Sequence, residues 1–171
     1  MIACLDAAYS RDAAAAACVL ARAWTDAGPV LEVVRRVPAA APYEPGRFYL
    51  RELPCLLAVL GDLAPAPRVI VVDGYVWLAG SRPGLGARLR NALGGTVTVV
   101  GVAKTPFRGA PAVPVLRGSS RSPLYVSAVG MAAEEAAAHV REMHGRFRIP
   151  TLLARADRLS RRERPDAAWR G

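Results

Sequence analysis

The sequence predicts an α/β fold, a mixed central sheet flanked by helices. Two observations carry that expectation. Continuous apolar runs of strand length recur, among them Ile2-Ala3-Cys4-Leu5 and Val69-Ile70-Val71-Val72. Runs of this kind are typical of strands covered on both faces. Strand-like segments also come first, and strand-like and helix-like segments alternate afterwards, the order of a mixed sheet with helices packed on it. At 171 residues the chain has room for one domain with a sizeable core and too little for two.

Residues 2–5 read as a short buried strand. Residues 13–23 are alanine-rich and favour helix by propensity, yet Thr25-Asp26-Ala27-Gly28 is a turn signal and residues 30–37 are a β-branched run. Composition leaves helix and strand both open there. Pro38, Pro42 and Pro45 require a loop. Residues 53–63 set Leu56, Leu57, Leu60 and Leu63 on one side of a helix, which Pro65-Ala66-Pro67 stops. Residues 69–72 form a central strand. A Gly/Pro-rich loop covers 80–86, and a short helix covers 85–93, closed by Gly94-Gly95. Residues 96–102 are another buried strand. Residues 107–122 are loop-rich, with a strand at 113–116. A strand at 124–128, a helix at 132–144 ending before Gly145, and a helix at 151–159 complete the pattern. The domain is taken as residues 1–160, with a mobile basic tail at 161–171.

Hydrophobic residues make up 53% of the chain, which excludes a disordered protein. Aromatics contribute only 6% and alanine much of the rest, so the core must pack backbone closely on backbone. Lys plus Arg number 23 against 14 Asp plus Glu, a formal charge of +9. That excess favours a polyanionic partner, most simply nucleic acid, although an arginine-rich solvated surface would carry the same charge. Cys4, Cys18 and Cys55 are odd in number and lack CxxC spacing. They read as small buried residues in a reducing compartment, not as a disulfide frame or zinc site. No uninterrupted apolar run reaches the roughly 18 residues of a membrane span, and no secretory leader is visible. The expected protein is cytoplasmic, monomeric and without a membrane partner.

Three carboxylates stand out. Asp6 and Asp73 each follow an apolar run, and Glu52 sits at the mouth of the helix after the proline loop. Open α/β sheets place ligands at the carboxyl ends of their strands. Two acids there, with a third reaching in from a helix, would form an oxygen cage for Mg²⁺ or Mn²⁺. The same acids would serve equally well to cap strands and turn the chain.

The wording around the acids is more specific. Pro42-Tyr43-Glu44-Pro45-Gly46 precedes Arg51-Glu52. Then come Val72-Asp73-Gly74, Gly101-Val102-Ala103-Lys104, Pro123-Leu124-Tyr125-Val126-Ser127, Phe147-Arg148-Ile149-Pro150 and Ala156-Asp157-Arg158-Leu159-Ser160. In this order the strings resemble the endonuclease V family, which nicks nucleic acid beside deaminated bases, over residues 2–165. The resemblance implies a ribonuclease H-like fold and makes residues 13–24 a strand paired with the run that follows. It implies a repair role on inosine-containing DNA or RNA. It assigns Asp6 and Asp73 as direct ligands of Mg²⁺ or Mn²⁺, with Glu52 holding the metal or its water. Such metals activate water and neutralise a leaving oxygen. It makes Lys104 the fourth catalytic group, offsetting charge that builds on the scissile phosphate. It makes Tyr43 a wedge beside the damaged base, and Gly46, Gly74 and Gly86 the lining of a pocket for the flipped base. The sequence departs from the family's wording at several places, among them an HP element replaced near Ala79-Gly80, and two of them bear on the site. Val76 stands where a pocket glycine is usual, and Met131 where a histidine is usual. The alternative they raise is a catalytically impaired homologue that binds nucleic acid and keeps the fold.

Overall fold

The computed structural model of the protein describes residues 1–10, 13–38, 49–61, 63–64 and 66–162. Its centre is a seven-stranded mixed sheet in the order β3-β2-β1-β4-β5-β7-β6. The strands are β1 (Ile2–Tyr9), β2 (Ala13–Ala21), β3 (Leu31–Pro38), β4 (Val69–Asp73), β5 (Thr98–Ala103), β6 (Val113–Val115) and β7 (Leu124–Val129). Four helices flank it: α1 (Tyr49–Leu60), α2 (Leu85–Ala92), α3 (Ala133–Glu142) and α4 (Thr151–Arg162).

β1, β4 and β5 run parallel at the centre. β2, β3, β6 and β7 pair antiparallel around them. Side chains alternate across a strand, and the core divides accordingly. Ala3, Leu5, Ile70, Val72 and Val99 pack with α1 and α2 on one face. Ile2, Cys4, Val71, Val100 and Val102 pack with α3 and α4 on the other.

Pairing overrides propensity in residues 13–21. Residues 14–20 of this alanine run pair with both β1 and β3, and Ala14, Ala15, Ala16 and Ala17 are fully buried. Small side chains suit a strand covered closely by α1 and α4. β1 is longer than its apolar run. Parallel pairing with β4 ends at Leu5 opposite Val72, but antiparallel pairing with β2 carries the strand on to Tyr9. Asp6 therefore lies inside the strand, one residue past the last parallel pair. α1 begins at Tyr49, four residues before the apolar pattern suggests, with Pro54 inside the helix and Glu52 in its first turn. α4 runs on to Arg162. Cys4, Cys18 and Cys55 are buried free thiols. Among the described residues no helix is long and apolar enough to cross a membrane.

Candidate active site at the carboxyl ends of the parallel strands

Strand parity assembles the site. Asp6 continues the Ile2, Cys4 side of β1, and Asp73 ends the Val69, Val71 side of β4. Lys104, one residue beyond β5, continues the Val100, Val102 side. All three face the layer that contains α4. Asp6, Asp73, Lys104 and Asp157 line a small cavity of about 130 Å³ there. A larger cavity of about 740 Å³ opens over the strand ends and is lined by Asp6, Glu52, Asp73 and Asp157 together. Glu52 reaches into it from α1, on the opposite face of the sheet. Arg82, Arg88 and Arg161 stand on the same walls.

Lys104, the sole lysine of the sequence, donates from Nζ to Asp73 Oδ2 at 2.5 Å. Burial lowers the pKa of its ammonium, but the hydrogen bond and charge of Asp73, with Asp157 and Asp6 behind it, outweigh burial and raise the pKa. The buried Ser160 hydroxyl donates to Asp6 Oδ2 and lies 2.9 Å from the main-chain oxygen of Asp157. Arg161 Nε donates to Asp157 Oδ1 at 3.0 Å. Burial pushes the Asp6 carboxyl up, opposed by the Ser160 hydrogen bond and reinforced by Asp157 and Asp73. Burial, then the charges of Asp6 and Asp73, lift Glu52 from an ordinary 4.5 to about 8.

This is an all-oxygen donor set in which burial, then the charges of Asp6 and Asp73, disfavour the ionised form of Glu52. Its chemistry fits a hard divalent cation. Among the described residues no three His, Cys, Asp or Glu side chains are drawn together tightly enough to share one ion. In this conformation Asp73 turns to Lys104 and Asp6 to Ser160.

Two glycines set the turn that carries Asp73. Gly74 has φ +138°, a conformation side chains resist. A Cβ on Gly101 would lie 2.5 Å from the carbonyl oxygen of Gly74 and 2.9 Å from the nitrogen of Val76. Glycine at 101 lets this turn cross directly over β5, and the Ser127 hydroxyl fixes it by accepting from Val76 N–H at 2.9 Å.

Gly74 lines the large cavity, whereas Gly86 does not. Gly86 is buried in α2, where an added Cβ would come within 2.8 Å of Val76 Cγ2. Val76 is fully buried in the core and lines neither cavity, so its side chain does not occupy the space over the acids. Met131 packs against the α3–α4 core and lines neither cavity. Tyr43 and Gly46 lie outside the described residues.

The histidines are engaged elsewhere. His139 stacks on Trp24 with ring centres 4.8 Å apart, and His144 Nδ1 is 3.0 Å from Thr151 Oγ1. The residue that reasoning from the sequence missed is Asp157, which stands with the acids that were singled out. Asp157 and Ser160 lie three apart on α4, beside the buried Ala156, and so share one helix face.

A family model described as Endonuclease V matches residues 1–133. Endonuclease V of Streptomyces avermitilis is 36% identical over 191 residues, covering 95% of this chain and 80% of that one. The Streptomyces coelicolor protein is 35% identical over 196 residues, covering 97% and 80%. The solved structure of the Streptomyces avermitilis protein superposes with a TM-score of 0.77 at 35% identity, covering 94% of this chain and 79% of that one. Human ENDOV gives 0.77 at 27%, covering 98% and 85%. Ciona intestinalis Endonuclease V, solved in complex with a 24mer DNA containing an inosine followed by a ribo-adenosine, shares the fold with a TM-score of 0.77 at 21% identity, covering 95% and 84%. By sequence and by its ribonuclease H-like fold, this chain belongs to the endonuclease V family.

Proposed function

We propose that the protein is a divalent-metal-dependent endonuclease that hydrolyses a phosphodiester near a deaminated base, inosine in the first instance, in a repair role. The observation that carries this reading is the convergence of Asp6, Glu52, Asp73 and Asp157, with Lys104, on the carboxyl ends of the parallel strands. Inosine comes from the DNA bound to the Ciona relative. In this reading Asp6, Asp73 and Glu52 hold Mg²⁺ or Mn²⁺, and Asp157 adds a fourth carboxylate. A divalent cation bound there would supply an activated water and offset charge on the leaving oxygen.

The chain's own groups do the rest. Lys104 releases Asp73 and moves its ammonium to the non-bridging phosphate oxygens, where negative charge develops. Ser160 keeps Asp6 oriented by the hydrogen bond it donates. Arg161 holds Asp157. Arg82 and Arg88 on the cavity wall attract the flanking phosphates. Burial, with the charges of Asp6 and Asp73, lifts Glu52 to about 8, so its carboxyl would give up a proton on taking a divalent cation.

A second reading is a homologue that binds nucleic acid without efficient cleavage. It is favoured by the engagement of Asp73 with Lys104 and the absence, among the described residues, of three acids drawn together on one point. One assay separates the two. Inosine-containing and plain strands, as DNA and as RNA, are incubated with Mg²⁺, Mn²⁺ or chelator. The nuclease reading expects metal-dependent cleavage confined to inosine strands. Binding without cleavage under every condition supports the second reading and sinks the first.

A further inference from the structure

The surface beyond Lys104 has an unusual composition. Residues 104–123 and 143–150 carry Lys104, Arg108, Arg117, Arg121, Arg146 and Arg148, and no Asp or Glu. The two segments are laced together. Arg117, only 5% exposed, donates to the main-chain oxygens of Met143, Gly145, Phe147 and Arg148, with Arg141 at 3.4 Å. Arg148 donates in turn to the main-chain oxygens of Lys104 and Pro123. This lacing holds Phe147 outward at 66% exposure, with the Arg146 guanidinium 5.0 Å from its ring centre.

Phe107, 42% exposed, is pinned similarly. The Tyr75 hydroxyl accepts from Phe107 N–H at 3.0 Å and donates to the Thr105 carbonyl at 2.8 Å. Two exposed phenylalanines on held backbone therefore stand near the lysine of the site. Phe107 lies three residues beyond it, and Phe147 is next to Arg148, which donates to the Lys104 carbonyl. Their segments carry positive charge and no acid of their own. A second copy of this +9 chain would be repelled by that charge. An unpaired polyanion with flat apolar bases matches both the charge and the rings.

We propose that Phe107 and Phe147 form a stacking platform for unpaired nucleotides of the strand that leaves the cavity on the Lys104 side, with Arg108 and Arg146 taking its phosphates. The proposal rests on the nuclease reading above and names where single-stranded substrate is held.

The test is fluorescence anisotropy with a plain single strand and a fully paired duplex, over a salt series. The proteins are wild type, Phe107→Ala/Phe147→Ala, Phe107→Tyr/Phe147→Tyr and Arg146→Gln. The alanine pair is expected to weaken single-strand binding about 10- to 100-fold and leave the salt slope unchanged, with duplex binding within about threefold of wild type. The tyrosine pair, which keeps the rings, restores binding and controls for folding. Arg146→Gln reduces the salt slope by about one. Single-strand affinity in the alanine pair within twofold of wild type overturns the platform, as does an equal loss on both substrates. Loss of self-association by the alanine pair with nucleic-acid affinity unchanged assigns the surface to a second copy of the chain instead. Wild type that cleaves inosine strands beside an alanine pair with undiminished affinity removes the platform and leaves the nuclease standing. Wild type that binds no strand at low salt removes both.

Discussion

Replacing Glu52 with glutamine separates what this residue costs the fold from what it gives the site. The native state lifts Glu52 from 4.5 to about 8 through burial and the charges of Asp6 and Asp73. Between those two values the folded protein binds a proton that the unfolded chain does not. Stability therefore falls as pH rises through that window, and the contribution is fully present only below pH 4.5. The full shift is worth up to about 5 kcal/mol. Side-chain relaxation and water at the cavity mouth cut that to about 2 kcal/mol. Glutamine has nearly the same shape and cannot ionise. In chelator, Glu52→Gln should match wild type near pH 5 and exceed it by about 2 kcal/mol at pH 8.5, or about 4–8 °C in melting temperature. Urea unfolding followed by tryptophan fluorescence measures the difference directly. Added Mn²⁺ should stabilise wild type at pH 8.5 and leave the variant nearly unmoved, since a bound ligand stabilises only the state that binds it. Wild-type and Glu52→Gln stability curves that stay parallel from pH 5 to 8.5 would refute the reasoning.

Other changes address the remaining groups. Lys104→Ala should lower single-turnover cleavage about 10²–10³-fold, and Lys104→Arg should rescue little of it, because a planar guanidinium does not replace a compact ammonium; full activity in the arginine variant would show that any cation suffices. Asp157→Asn should cost about 10–100-fold in Mn²⁺ affinity, read by calorimetry, whereas an unchanged affinity would remove Asp157 from the donor set. Met131→His should leave cleavage within twofold, because Met131 packs on the core and not on either cavity; a tenfold gain would return this position to the site.

Much of the site was legible because two acids end short apolar runs, and in parallel strands that ending places them where ligands bind. The period of two carries further than the runs themselves: residues 2, 4 and 6, residues 69, 71 and 73, and residues 100, 102 and 104 fall on one side of the sheet. Asp157 escaped notice because a single acid on an arginine-rich helix reads as part of a solvated face. Only the packing of α4 on β1 and β2 turns it inward. The strand identity of residues 13–21 was illegible in composition, since alanine favours helix until two neighbouring strands take up its backbone bonds. The extension of β1 past Asp6 depends on the same pairing. Val76 and Met131 stand out as departures from the family's wording in the linear sequence. Val76 is buried and Met131 half-buried against the core, and neither lines the cavity over the acids.

The central claim is that the carboxylates over the parallel strands hold a divalent cation and that cleavage depends on it. Mn²⁺ titration of wild type and of Asp6→Asn/Asp73→Asn, with cleavage of an inosine-containing strand measured on the same samples, tests it most directly. The account predicts saturable Mn²⁺ binding by wild type that the double variant loses, with cleavage lost in parallel and the variant still folded by circular dichroism. Undiminished cleavage by the double variant, or by wild type in excess chelator, would contradict it.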